Sequence, residues 1–362
     1  MPSVDEFRAE ARAWLASGAG RGPADWGAIL PPRLDAEGRA WQRRLFDAGF
    51  AGIDWPAEYG GRALTPDHAS AWMEEAAARG VPAVLNMVGL VLTARALLAY
   101  GTDEQKATHL PPTVRGERVW CQLFSEPGAG SDLGSLATRA IADGDTFVVS
   151  GQKVWSSGAR ISEWGILLAR TASLEEAPKH RGISMLLLDM TLPGVDVRPL
   201  RQMTGDADFD EVFLDEVRVP ASCLVGPLHG GWGVAMSTLT NERGFIAASA
   251  ASLARRLDAV AVPHDPVGRD RVAAILAEGR ALEYLAQRQG PVASTASSLV
   301  KLGLAELIPK LASATGDLDA VVRAPGARLG GGTSEVQRNI IGELVLGLPK
   351  EPKAPSNGEP NG

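Results

Sequence analysis

Over the first 115 positions, apolar residues recur at helical spacing. Val4, Phe7, Ala11, Trp14 and Leu15 share one face of a period near 3.6, with charged residues between them, which predicts an amphipathic helix. Glycine and proline clusters at 18–23, 31–32, 59–62 and 111–112 punctuate this region and are read as helix boundaries. The most apolar stretch, 81–100, contains Pro82, Asn86, Gly89 and Arg95, so it predicts a buried helix and not a membrane span. At Val119 the period changes. From there to about Val225 apolar residues alternate or form short β-branched runs, as at 146–149, 166–169, 183–188 and 212–219, separated by Gly- and Asp-containing turns. Helical spacing returns from 230 to 348, broken at 263–266, and the last residues are Pro, Lys, Glu, Asn and Gly.

Helices, then strands, then helices is a segregated pattern, which predicts an α+β fold and not an alternating βαβ sheet. The expected units are an N-terminal α-helical domain (1–117), a middle β-barrel or sandwich domain (118–226), a C-terminal α-helical bundle (227–349) and a disordered tail (350–362).

Charge and composition narrow the function classes. A net charge of −7 argues against a nucleic-acid partner. The N-terminal helix is amphipathic, without a secretory apolar core, so a cytoplasmic location is expected. Cys121 and Cys223 form neither a disulfide framework nor a metal-ligand spacing. His68, His109 and His229 have no spacing to a nucleophile or a metal and are read as structural or surface residues.

Two segments carry candidate chemistry. The first is CQLFSEPGAGSD at 121–132, where glycines admit close approach of a ligand to backbone N–H groups and Ser125 and Ser131 add donors. The second is GQKVWSSG at 151–158. Trp155 offers a flat face beside the hydroxyls of Ser156 and Ser157, a combination suited to a planar ligand with a polar edge. Either segment alone is equally a turn leading into a hairpin with a core tryptophan. Gly128, Gly130 and Gly134 do not make G-x-G-x-x-G and no helix pattern follows, which disfavours a nicotinamide cofactor.

Together these segments resemble those of the acyl-CoA dehydrogenase family. The likeness extends to DWPAEYGG (54–61), GTDEQKATHLPP (101–112), FDEVFLDEVRVP (209–220), GWGVAMSTLTNERG (231–244) and GGGTSEVQRNIIGELVLGLP (330–349). The resemblance implies FAD as cofactor and an acyl-CoA as substrate. A carboxylate then takes the thioester α-proton while the β-hydrogen leaves as hydride to flavin N5. It further implies that Gln122, Phe124 and Ser125 line the flavin and that Gly130 and Ser131 lie between FAD and the thioester ligand. Trp155 would pack on the isoalloxazine, with Ser157 near N5. Thr333 and Glu335 would contact FAD, although Glu335 also reads as an exposed first-turn acid favoured by the helix dipole.

Most of the family carries its base in a Tyr-Glu-Gly-Thr segment. The matching residues here are Gly330, Gly331, Gly332 and Thr333, so Gly331 replaces the acid and retains only a backbone N–H for the thioester carbonyl. A minority of the family carries a glutamate directly before an arginine on the long helix after the β domain. That pattern falls on Glu242 and Arg243, which makes Glu242 the expected base and Arg243 a site-ordering residue; a surface ion pair is the alternative for both.

Two family motifs are absent. Where an Arg-x-x-Phe-Gly stretch is usual, residues 265–271 read DPVGRDR, and where Gln-x-x-Gly-Gly-x-Gly is usual, 315–322 read TGDLDAVV. Both motifs hold the FAD of a neighbouring subunit. The resemblance therefore leaves open a homo-oligomer or a heterotetramer built with a second acyl-CoA dehydrogenase-like subunit, as in bacterial relatives acting on steroid side chains, with an electron-transfer flavoprotein as acceptor. A non-catalytic half-site subunit and a different flavin oxidation on the same fold are the alternatives.

Overall fold

The computed structural model describes residues 1–27, 29–177, 179–248, 253, 257–258, 260–286 and 293–350. The N-terminal region consists of α1 (Val4–Ala16), α2 (Asp35–Asp47), α3 (Pro66–Arg79), a π-helical turn (Val88–Thr93) running into α4 (Ala94–Tyr100), and α5 (Asp103–Val114). Capping chemistry sets where these helices start. The Ser3 hydroxyl accepts from Glu6 N–H and the Glu6 carboxylate accepts from Ser3 N–H, and Thr102 and Gln105 repeat the exchange at α5. Phe7, Ala11 and Leu15 are the buried positions of α1, on the face that the spacing predicts.

The expected boundary at residues 111–112 is overturned, because α5 runs through both prolines to Val114. Pro112 has no N–H for the carbonyl of Thr108, four residues back. The Arg118 guanidinium donates to that carbonyl at 3.0 Å and so replaces the missing donor. The same guanidinium donates to His109 Nδ1 at 2.7 Å and lies over the Trp164 ring. Burial, and then the charge of Arg118, push the His109 imidazole down to about 4, so it stays neutral and can accept this bond. Replacing Arg118 with Met is expected to destabilise the protein by about 2 kcal/mol, read as a lower urea midpoint at unchanged slope. A change under about 0.5 kcal/mol would mean that this carbonyl needs no such donor.

The middle region holds β1 (Trp120–Leu123), β2 (Arg139–Asp143), β3 (Thr146–Ser157), β4 (Trp164–Arg170), β5 (Ile183–Asp189), β6 (Val195–Leu200), β7 (Phe209–Pro220) and β8 (Leu224–Val225). They form one sheet in the order β6-β7-β3-β2-β4-β5-β8, with β1 parallel to β4. β4 and β5 are buried on both faces, which explains their nearly continuous apolar runs. Ile166, Leu168, Met185 and Leu187 face the N-terminal helices. Their alternates Leu167, Ala169, Leu186 and Leu188 pack against Phe147, Val149, Val212 and Leu214 of β3 and β7. The sheet therefore curls around a second core.

The C-terminal helices are α6 (Gly231–Ala248), α7 (Pro266–Ala286), α8 (Ala293–Thr315), α9 (Leu318–Arg323), α10 (Gly326–Leu329) and α11 (Ser334–Ile340), followed by a π-helical turn (Ile341–Val345). α6 packs on β5, on the first π-helical turn and on α8, and so sits at the junction of all three regions. Val272, Ile275 and Leu282 of α7 meet Val300, Leu304, Leu307 and Leu311 of α8 in a third core. Among the described residues no helix is long and apolar enough to cross a membrane. The tail expected to be disordered lies, from 351 onward, outside the described residues.

Candidate active site

The glycine-rich turn is held from beneath by a buried ion pair. Lys153 has no exposed surface, and its Nζ donates to Glu126 Oε1 at 2.8 Å and to the Phe124 carbonyl at 3.1 Å. The Glu126 carboxylate also accepts from the N–H groups of Ala137 (2.6 Å) and Thr138 (2.9 Å). Burial pushes the Lys153 ammonium down to about 8 against the pull of Glu126. Burial alone would raise the Glu126 carboxyl, but Lys153 and the N–H donors outweigh it and hold the group below its usual range. Arg170 donates to the carbonyls of Gly134, Leu136 and Lys179 and fixes the far side of the loop. With its base tied down, the turn leaves Gly130 and Ser131 exposed, and nothing lies within 4 Å of where a Cβ on Gly128 or Gly130 would stand.

Trp155 reaches the surface through a β-bulge. The register of β3 on β7 slips between Lys153 and Ser156, and Trp155 takes a left-handed φ of 60°. Its ring is 59% exposed and meets Phe209 edge-on, with centroids 5.7 Å apart. A bond from Val154 N–H to the Ser125 carbonyl (3.0 Å) brings the glycine-rich turn beside this bulge. Gln122, Ser125 and Ser157 are half-buried at its margin. Two other expected flavin neighbours point inward. The Phe124 side chain belongs to the helix-facing core, and Ser156 is fully buried, its Oγ without a hydrogen-bond partner among the described residues.

A second group of residues gathers where α6, α8 and α11 meet. Glu242 on α6 is 9% exposed. Its charge acts on Lys301 of α8, which is 2% exposed; burial pushes that ammonium down, and Glu242 and then Glu335 oppose the shift. Lys301 donates to the Gly332 carbonyl, and Gln337 donates through Nε2 to the Gly331 carbonyl at 3.0 Å. Gly331 and Gly332 have φ of 69° and 94°, a pair of left-handed residues that glycine alone adopts without strain. Thr333 then caps α11 by accepting from Val336 N–H at 3.2 Å. Glu335 is exposed in the first turn, 3.7 Å from Arg338. The side chain of Arg243 lies outside the described residues.

Sequence reasoning overlooked Lys153, Lys301 and Gln337. A signal for Lys153 existed: it shares the inward parity of Phe147 and Val149 on β3, and a lysine there needs a buried acid.

Known proteins share the sequence and the fold that carry these residues. Residues 2–117 match the N-terminal domain of the acyl-CoA dehydrogenases, and 121–217 match their middle domain. The chain is 40% identical to acyl-CoA dehydrogenase IpdE1 of Mycobacterium tuberculosis, over 98% of this chain and 100% of that protein. The chain belongs to the acyl-CoA dehydrogenase family. Its fold follows the Tcur3481–Tcur3483 steroid acyl-CoA dehydrogenase, with a TM-score of 0.81 and 28% identity over 96% of this chain and 98% of that one. The ChsE4–ChsE5 complex from Mycobacterium tuberculosis gives 0.79 and 28% over 97% and 99%. The three-part α+β architecture expected from the sequence is therefore that of an acyl-CoA dehydrogenase, and membership makes the protein an oxidoreductase and implies a flavin cofactor. The residues present fit a flavin. An exposed indole face stands beside half-buried hydroxyls and a glycine turn open to a ligand.

Proposed function

We propose that this acyl-CoA dehydrogenase uses FAD to convert an acyl-CoA thioester into its trans-2-enoyl-CoA, with Glu242 as the base, and that it works beside a second acyl-CoA dehydrogenase-like subunit. The observation that carries the reading is the burial of Glu242 where its charge acts on Lys301, the residue that holds the Gly332 carbonyl of the turn lacking the usual acid. A thioester α-proton is only weakly acidic, so a carboxylate must be held out of water near it while donors polarise the carbonyl. Glu242 supplies the first requirement and the Gly331 N–H the second. FAD, when bound, supplies the acceptor for the hydride. Gln122, Ser125, Trp155 and Ser157 would hold its ring, and Thr333 and Glu335 would contact it from the C-terminal side. Phe124 and Ser156 would act through the backbone and the packing beneath. Gly130 and Ser131 would face the thioester tail, and Arg243 would order the site.

The partner subunit is inferred from what the chain does with the two motif regions. Asp265 accepts from Gly268 N–H at the start of α7, and Asp317 caps α9 through Ala320 N–H. Arg323 pairs with Asp319 and with Asp206 of the β6–β7 loop. These polar groups are engaged within the chain, at the places where the resemblance would put motifs that reach a neighbour's cofactor. Leu318, Leu329, Leu344, Leu346 and Leu348 are exposed on these C-terminal elements, apolar surface suited to another chain. The names of the similar structures join two gene products and one specifies a steroid. Gly330 and Gly331 would leave room for such a bulky, ring-bearing acyl group.

Anaerobic titration tests this. With its partner present, acyl-CoA should bleach the flavin absorbance, ring-bearing thioesters more readily than short straight ones, with electrons then passing to an electron-transfer flavoprotein. A stable, fully loaded and active homotetramer of this chain alone would end the two-subunit reading. The missing acid at Gly331 favours one alternative, a chain that only supports a catalytic partner, and full turnover in a Glu242→Gln complex would select it.

A further inference from the structure

The C-terminal group contains one cation that the proposed reaction has not yet used. Lys301 sits on the inner face of α8 and is almost without exposed surface, although an ammonium is costly to bury. Its Nζ donates to the Gly332 carbonyl, and the carboxylates that act on it are Glu242 from α6 and Glu335 from α11. One side chain thus connects the expected base to the turn that takes the place of the family's usual one. Gln337, fully buried, holds the neighbouring Gly331 carbonyl. Two adjacent left-handed glycines have wide conformational freedom, and these two donors restrain it.

We propose that Lys301 is a positioning residue for the reaction: its buried ammonium clamps the Gly331–Gly332 turn and sets a fixed positive charge beside Glu242. The inference rests on Glu242 being the base and adds to that reading the group that holds the base ready.

Burying a carboxylate in general disfavours its ionised form, and a base must be ionised to accept a proton. A neighbouring cation works in the opposite direction and keeps the carboxylate charged at lower pH. Several charges of the described residues on the neighbouring elements are engaged elsewhere. On α4, Arg95 pairs with Asp54, and on α3, Glu75 pairs with Arg8 and Arg12. The first π-helical turn carries no charged residue, and β5 carries only Asp189 at its end. Lys310 of α8 pairs with Glu278 of α7, Arg328 of α10 and Arg338 of α11 pair with Glu306 of α8, and Arg323 of α9 is held by Asp206 and Asp319. Lys301 is therefore a cation on which Glu242 acts and which, among the described residues, no carboxylate other than Glu242 and Glu335 is shown to engage.

The test compares three variants of the two-subunit enzyme. Lys301→Gln keeps a donor for the Gly332 carbonyl and removes the charge. Its acidic limb in the pH profile of flavin reduction should move up by about one pH unit, with the plateau at higher pH largely retained. Lys301→Arg should restore the limb. Gln337→Met loosens the turn without changing charge, so it should lower kcat/KM and leave the limb in place. Melting temperatures recorded in parallel separate these effects from loss of folded protein. An unmoved limb in folded Lys301→Gln, while Glu242→Gln abolishes turnover, overturns the proposal and spares the reading beneath it. Full turnover in Glu242→Gln removes both. Should Lys301→Gln not assemble, Lys301→Met combined with Glu335→Gln removes the cation and one of its two carboxylates, and the same limb decides.

Discussion

Flavin reduction by acyl-CoA in the Glu242→Gln variant is expected to slow about 10³–10⁴-fold, with thioester binding nearly unchanged. Glutamine matches glutamate in shape, so α6 should keep its packing and the loss should fall on kcat and not on KM. Among the described residues the two other candidate positions offer no substitute. The family's common base position is Gly331, and Glu335, the other acid acting on Lys301, is exposed in the first turn of α11. Removing the charge of Glu242 also removes one of the two carboxylates that favour the buried Lys301 ammonium, so a small fall in melting temperature should accompany the kinetic loss. Stopped-flow reduction under anaerobic conditions checks the rate, and calorimetric titration checks the binding. A variant reduced at the rate of the parent would place the base on another chain.

The architecture was legible because periodicity reports burial. Phe7, Ala11 and Leu15 share one face of α1, and the runs at 166–169 and 183–188 are continuous because β4 and β5 are covered on both sides. Pro111 and Pro112 misled for a physical reason. A proline usually ends a helix because a carbonyl loses its donor, and the carbonyl that Pro112 leaves open takes its donor from Arg118, beyond the helix and invisible to local rules. The site was legible residue by residue through its motifs, but not its orientation. A strand alternates sides, so the inward Lys153 should put Trp155 inside and Ser156 outside; the bulge between Lys153 and Ser156 breaks that parity, turning Trp155 out and Ser156 in. Lys301 and Gln337 went unnoticed because a polar residue on a helix reads as solvent-facing until its neighbours in space are known.

Replacing Lys153 with Met is expected to cost about 3–5 kcal/mol of stability, because it strands the Glu126 carboxylate in the interior. The single variant loses the Nζ bonds to Glu126 and to the Phe124 carbonyl together. Both groups border the glycine-rich turn, and Ser125 between them accepts from Val154 N–H next to the Trp155 bulge. FAD occupancy should therefore fall along with the urea midpoint. Adding Glu126→Gln removes the stranded charge, so the double variant should be less unstable than additivity predicts, by about 1–3 kcal/mol. The pH dependence separates an ion pair from mere packing. In the parent, the folded Glu126 carboxyl is held below its ordinary value of 4.5, so its contribution is present above that pH and is lost as pH falls through the folded value. In Lys153→Met burial acts on Glu126 without its counter-ion and raises the carboxyl, so acidification relieves the variant while it weakens the parent. The stability gap between the two should narrow steadily below about pH 5. A gap that stays constant across that range would mean that Lys153 fills space beneath the turn and its charge does nothing there.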